Sequence, residues 1–452
     1  MTDQQRWDAL GCSGGWVETP NMDAIAAEGV RFPNAYTNSP VCVPARVSLA
    51  TGRYPHNHGV WKHQHYTMPP EWPTWMRAVR DAGYSTSVFG KTHLHEQSGD
   101  LRDRLDLLHA YGLDHADEIA GPRASLRSHS NLTERWHEAG VYDDVKRDML
   151  DRYAEKPWVA RPSPLPLELY PDVYVARQAA DYLRRYEDAK PWLCWLSFGG
   201  PHEPWDAPEP YASRYAPEDM PPPLEAQDDG HTRPQGVLDR RFANGRPPFA
   251  PGDVERLRAN YAGNVTLIDD QVGEVLAVVA ERGELDNTVI ALVSDHGEMN
   301  GDFGLTYKDN FLDPAVRIPF LMKLPAQVGG GARGAVTDAL VELMDLGPTL
   351  IELAGGKPLP RSFARSVLPV LRDPEQRHRD GALSEHRREI MMATDEWKIA
   401  VNRDGEPYLL FDRRSDPQET RNLAALPDYR DVEQELRDRL NRTVKAAGKR
   451  KQ

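Results

Sequence analysis

Short apolar runs rich in β-branched and aromatic residues alternate with stretches of helical periodicity along most of this 452-residue chain. That alternation predicts an α/β fold, a large mixed but mostly parallel sheet with helices on both faces. Three runs read as strands: Tyr84 to Phe89, Trp192 to Phe198 and Thr288 to Ser294. Between the last two, Val265, Ile268, Val272, Val275, Leu276 and Val279 recur at spacings of three and four, which predicts a helix over about Asn260 to Arg282 that ends at Gly283. Asp295-His296-Gly297 follows the third strand directly. The carboxyl ends of strands are where open α/β sheets hold their ligands.

The length exceeds one ordinary core. Residues 1–357 read as a large α/β unit, with insertions near 96–175 and 205–252, where periodicity fades and Pro221-Pro222-Pro223 and Pro247-Pro248 fall. Both insertions are expected to be lids or loops outside the core. Residues 358–452 read as a smaller α+β unit. In it Glu396–Asn402 and Pro407–Asp412 flank the hairpin signal Arg403-Asp404-Gly405-Glu406, and a terminal helix runs from about Tyr429 to Ala447. With 55 Lys and Arg against 69 Asp and Glu, the net charge of −14 repels phosphate backbones and argues against a nucleic-acid partner. No apolar run nears the ~20 residues a membrane helix needs. No charged start leads into an apolar stretch, so the expected compartment is the cytoplasm. Cys12, Cys42 and Cys194 are too few for a disulfide framework. Oligomeric state is not legible.

The sharpest chemical signal is Ser39-Pro40-Val41-Cys42-Val43-Pro44-Ala45-Arg46, followed by Ser48-Leu49-Ala50-Thr51-Gly52-Arg53. Other short motifs accompany it in order: Asp3-Gln4, Thr19-Pro20-Asn21-Met22-Asp23, Gly90-Lys91-Thr92-His93, Gly200-Pro201-His202-Glu203-Pro204, Ser294-Asp295-His296-Gly297-Glu298, Arg317-Ile318-Pro319 and Asp416-Pro417-Gln418-Glu419-Thr420-Arg421-Asn422. Together they resemble the formylglycine-dependent type I sulfatases of the alkaline phosphatase superfamily, whose hallmark is Cys (or Ser)-x-Pro-x-Arg leading into Leu-x-Thr-Gly. The resemblance spans nearly the whole chain.

It implies an alkaline-phosphatase-like fold and conversion of Cys42 to formylglycine by a formylglycine-generating enzyme. The hydrated aldehyde then attacks the sulfur of a sulfate monoester. Asp3, Gln4, Asp295 and His296, with the Cys42-derived oxygen, are implied as ligands of one divalent metal. Oxygen donors favour Ca²⁺, while the imidazole admits Mn²⁺ as the alternative. By the same resemblance Arg46 holds the nucleophile, Lys91 and Lys308 clamp the sulfate oxygens, His93 accepts the proton of the non-attacking hydroxyl, and His202 stands nearest the leaving oxygen as general acid. Cys12 and Cys194 lack such context and are expected to be structural. His56, His58, His63 and His65 match no zinc spacing and are expected in loop structure or at the pocket rim.

One departure matters. Family members carry an apolar strand directly before the first metal aspartate, whereas here only Met1-Thr2 precede Asp3. The expectation is therefore that Asp3 lies on a frayed end, and that the natural start lies upstream with Met1 inside the missing strand. Two other functions remain open: a phosphonate monoester or phosphate diester hydrolase, and a non-catalytic binding protein should Cys42 stay unmodified. The expected partner is a small sulfated substrate whose leaving group is read by the insertions. Trp136, Trp158, Trp205 and Arg240 read as its rim contacts, with the alternative that the aromatics are packing anchors.

Overall fold

The computed structural model describes residues 1–62, 65–155, 158–227, 249–328 and 331–449. In chain order the larger unit contains strands β1 (Val30–Arg31), β2 (Ser85–Gly90), β3 (His115–Glu118), β4 (Trp192–Ser197), β5 (Ile290–Val293), β6 (Phe320–Lys323) and β7 (Ala335–Val336). They form a parallel sheet in the order β3-β2-β4 and a mixed sheet in the order β7-β1-β6-β5. Met1 to Asp3 join the two. The Met1 carbonyl accepts from Phe198 N–H beyond β4, Thr2 N–H donates to Val293 O on β5, and Asp3 N–H donates to Gly200 O.

Alternate residues of the strands enter different cores, as a pleated strand requires. Val88, Val293, Phe320 and Met322 pack on one face with α2 (Cys42–Thr51), α3 (Trp75–Asp81) and α8 (Leu346–Leu353). Phe89, Leu292 and Leu321 pack on the other with α1 (Pro20–Glu28), α6 (Pro171–Arg185) and α7 (Asp253–Glu281). Each fully buried aliphatic or aromatic side chain contributes about 1.5–3 kcal/mol, so the cores on the two faces stabilise both sheets together. Helix α7 begins seven residues before its expected start near Asn260. Leu257 and Tyr261 extend its apolar stripe into a satellite core with Trp158, Trp205 and Tyr307.

The stretch 96–175, expected to lie outside the core, is partly core. It supplies the edge strand β3, and Leu132 and Trp136 of α4 (Asn131–Glu138) with Val145 of α5 (Tyr142–Glu155) join the α6–α7 core. Their few apolar positions are diluted by long charged faces, which is why the periodicity reads weakly. Trp136, Trp158 and Trp205 are buried packing anchors instead of rim contacts; the indole N–H of Trp136 donates to Leu169 O at 2.9 Å. Arg240 and His63 lie outside the described residues, as does most of 220–252. Among the other loop histidines, His56 faces Glu385, His58 faces Ser48 and His65 faces Glu96, so they share no common point.

The carboxyl-terminal unit is an antiparallel sheet, β8 (Ala382–His386), β9 (Glu389–Ala393), β10 (Trp397–Val401) and β11 (Pro407–Asp412) in sequential order, covered by helix α9 (Arg430–Lys449). The hairpin expected at Arg403–Glu406 is present, with Gly405 at φ +80°, a conformation glycine adopts without strain. Lys398 of β10 reaches out of this unit to Asp313 at 2.7 Å and also pairs with Glu419. No helix among the described residues is long and apolar enough to cross a membrane.

Candidate functional site

The chemistry-bearing motifs converge because most of them follow the carboxyl ends of strands whose ends lie side by side. Lys91 succeeds β2, His202 follows β4, Asp295 and His296 follow β5, and Asp3 emerges between β4 and β5. The expectation of a frayed Asp3 is not met: its side chain is fully buried, and hydrogen bonds from Met1 to Asp3 knit this end between two strands.

Helix α2 delivers the other half of the site. Val41 is extended and caps the helix, so Cys42 is its first residue and points with the free N–H groups of the first turn. Pro44 sits in that turn, where a missing N–H costs nothing. Arg46 lies one turn on, on the same face. Its guanidinium donates to Asp295 Oδ2 at 2.8 Å, Asp3 Oδ2 at 3.2 Å, Ser197 Oγ at 3.0 Å and Lys91 O at 2.5 Å. Arg46 thus aligns both carboxylates beneath the Cys42 thiol.

Cys42 Sγ stands 3.0 Å from His296 Nε2 and 3.7 Å from Asp3 Oδ1. One donor atom from each of Asp3, Cys42, Asp295 and His296 falls within 4.8 Å of all the others, and all four residues are buried. His296 Nδ1 donates to Gly297 O at 3.0 Å, which leaves Nε2 as a lone-pair donor toward the cluster. Burial holds the His296 pKa below its ordinary value, which favours the neutral ligand form. Two carboxylates, an imidazole and the Cys42 sulfur make a donor set that fits a divalent cation.

The cations expected to hold an anionic substrate are here too. Lys91 Nζ lies 2.5 Å from Asp3 Oδ2, and Lys308 Nζ contacts Gln4 Oε1 and lies 3.9 Å from Glu203 Oε2. Burial alone would push the Asp3 carboxyl up, but Lys91, His202 and Arg46 outweigh it and hold it well below the carboxylate range. Lys308 keeps its proton: burial opposes the charge, and Cys42, Glu203 and Asp3 more than offset it. His93, at φ +54°, and Gln4, at φ +69°, are non-glycine residues in the left-handed region, a strain that clusters at functional sites. A Cβ on Gly121 would lie 3.2 Å from Lys91 Nζ and 3.7 Å from His93 Nε2, so the backbone of the 119–125 loop roofs these two groups. His202 Nδ1 donates to Glu203 O at 2.7 Å.

All ten residues expected at the site are therefore in one neighbourhood. Sequence reading assigned no role to Glu203 and Glu298, although both sit inside the quoted motifs. Glu203 Oε2 and Glu298 Oε2 accept from Gln4 Nε2 at 3.0 and 2.5 Å. Burial raises both; His202, Lys308 and Arg123 bring Glu203 down to about 2, while Glu298 stays pushed up to about 7. Arg123, which pairs with Glu203 Oε1 at 2.9 Å, carries no sequence signal that sets it apart from other arginines of its loop.

The family model for sulfatases matches residues 1–356, and one described as the N-sulphoglucosamine sulphohydrolase C-terminal region matches residues 301–446. An arylsulfatase of Clostridium perfringens (strain 13 / Type A) is 30% identical over 450 residues, 95% of this chain and 90% of that protein. A choline-sulfatase of Rhizobium meliloti (strain 1021) is 28% identical over 435 residues, 91% of this chain and 78% of the relative. The phosphonate monoester hydrolase of Agrobacterium radiobacter superposes with a TM-score of 0.81 at 24% identity, covering 99% of this chain and 94% of that one, a likeness of fold.

Proposed function

This chain belongs to the sulfatase family of the alkaline phosphatase superfamily, and from that premise we propose that it hydrolyses the sulfate monoester of a small organic or carbohydrate alcohol, using formylglycine made from Cys42 and one divalent metal. The observation that carries this reading is the closure of Asp3, Asp295 and His296 on the Cys42 side chain at the start of α2. Ca²⁺ is the first choice of metal and Mn²⁺ the second.

Asp3, Gln4, Asp295 and His296 would hold the ion, which would supply Lewis acidity at the hydrated aldehyde. The residues do the rest. Arg46 holds the diol and offsets its charge, and one diol oxygen attacks sulfur while Lys91 and Lys308 draw in the sulfate oxygens. The S–O bond to the alcohol breaks, and His202 delivers a proton to the departing oxygen. His93 then takes the proton of the second hydroxyl, the C–O bond to sulfate breaks, and the aldehyde returns. The diol replaces a stubborn sulfo-ester hydrolysis by an elimination.

The peptide containing Cys42 should weigh less than its cysteine form by close to the mass of one water. Cys42→Ala, or a chelator, should abolish release of sulfate from an aryl sulfate by at least about 10³-fold. Undiminished turnover after either treatment would refute the reading, and an unmodified cysteine with no turnover would favour a binding protein. Parallel assays with phenyl phosphonate separate the second hydrolase reading; greater efficiency there would replace the first.

A further inference from the structure

We propose that Glu203 and Glu298 are positioning residues that fix which end of the Gln4 amide faces the metal-binding cluster, an inference that rests on Gln4 being a ligand. An amide is nearly symmetric in shape but opposite in hydrogen-bond polarity at its two ends. Only the oxygen can serve a cation, so something must choose between two orientations that fit equally well.

The choice is made by two carboxyl groups on one side and an ammonium on the other. Gln4 Nε2 donates to Glu298 Oε2 at 2.5 Å and to Glu203 Oε2 at 3.0 Å, while Gln4 Oε1 accepts from Lys308 Nζ. A half-turn of the amide would set its oxygen against two carboxylates and its N–H groups against an ammonium, three contacts of the wrong polarity in a buried site. The carboxylates cannot yield, since each is gripped from behind. Glu298 Oε1 accepts from Asn300 N–H at 3.0 Å and Tyr307 N–H at 2.5 Å, and Glu203 Oε1 accepts from Arg123 at 2.9 Å.

The backbone of Gln4 is held as well: its N–H donates to Asp295 Oδ1 at 3.1 Å and its carbonyl accepts from Tyr261 Oη at 2.8 Å. Rotation of the terminal amide is the freedom left to this residue, and Glu203 and Glu298 remove it before any ion arrives.

The test is Ca²⁺ affinity by titration calorimetry on the full chain, with the unfolding midpoint in chelator measured alongside. Glu298→Gln should weaken Ca²⁺ binding by about 10–100-fold, the usual range for groups that orient a ligand, with a metal-free unfolding midpoint close to the parent's. Glu203→Gln should act in the same direction from the other side of the amide. Reversing the polarity throughout in the triple variant Gln4→Glu/Glu203→Gln/Glu298→Gln gives both new amides a carboxylate to donate to and leaves an oxygen for the ion. It should bind Ca²⁺ within about threefold of the parent. Parent-like affinity in both single variants, or a triple variant no tighter than Glu298→Gln, overturns the proposal. A parent protein that binds neither Ca²⁺ nor Mn²⁺ fails the metal reading itself, and the clamp falls with it.

Discussion

Asp172 and Asp206 share a small cavity of about 40 Å³ with His202, just behind the site, and burial pushes each carboxyl up to about 6. Asp172 Oδ1 accepts from Gly199 N–H at 2.8 Å and Gly200 N–H at 3.0 Å, so it holds the turn that carries His202. Between the ordinary value of 3.8 and about 6 the folded protein keeps a proton that the unfolded chain has released. Stability from this group is therefore full below that window and declines as pH rises through it, by at most about 3 kcal/mol. An asparagine accepts the same two N–H groups and does not titrate. In urea unfolding, the parent should lose roughly 2 kcal/mol relative to Asp172→Asn between pH 4 and 6.5. Parallel stability curves for the two would rule this out.

At the scale of elements, α7 is the long brace of the fold, and Gly263, one of its two interior glycines, is a contact point. Gly263 lies under the 208–214 turn, where an added Cβ would meet the Tyr211 carbonyl oxygen at 2.2 Å. Intrinsic propensity favours alanine over glycine in a helix by about 1 kcal/mol. A clash with backbone outweighs that preference, because neither side can rotate away. Gly263→Ala is expected to destabilise the protein by about 1–3 kcal/mol, read as a lower urea midpoint at unchanged slope. A raised midpoint would show that the turn moves freely. Helix α2 illustrates the converse: its amino end meets the ligand cluster, and Gly52 at φ +66° ends it. Ten residues thus deliver Cys42 and Arg46 to one point.

For the whole molecule, the seam between the two sheets decides much of the architecture. β4 and β5 face each other across a cavity of about 710 Å³ lined by Met1, Cys194, Trp195, Leu196, Leu292 and Val293. Among the described residues, Met1 to Asp3 bridge it, in parallel register with both strands. A six-residue β-branched segment fused ahead of Met1 should pair along both edges. The expected result is a rise in thermal midpoint of several degrees, against no change for a Gly-Ser segment of equal length. Equal midpoints for the two fusions would mean that the seam does not accept a strand.

Local patterns determined a good deal: three strands, the long helix and the terminal hairpin were legible because strand and helix periods are properties of neighbouring residues, while the ten residues expected around Cys42 were legible through the resemblance to the sulfatase family. What tertiary structure decided is of another kind. That Trp136, Trp158 and Trp205 are buried anchors follows from packing against α6 and α7, partners distant in sequence. The roles of Glu203 and Glu298 depend on contacts with Gln4 across separations of 199 and 294 residues. Side-chain polarity is written in the chain, but which carboxylate meets which amide is set only once the sheet brings the ends of its strands together.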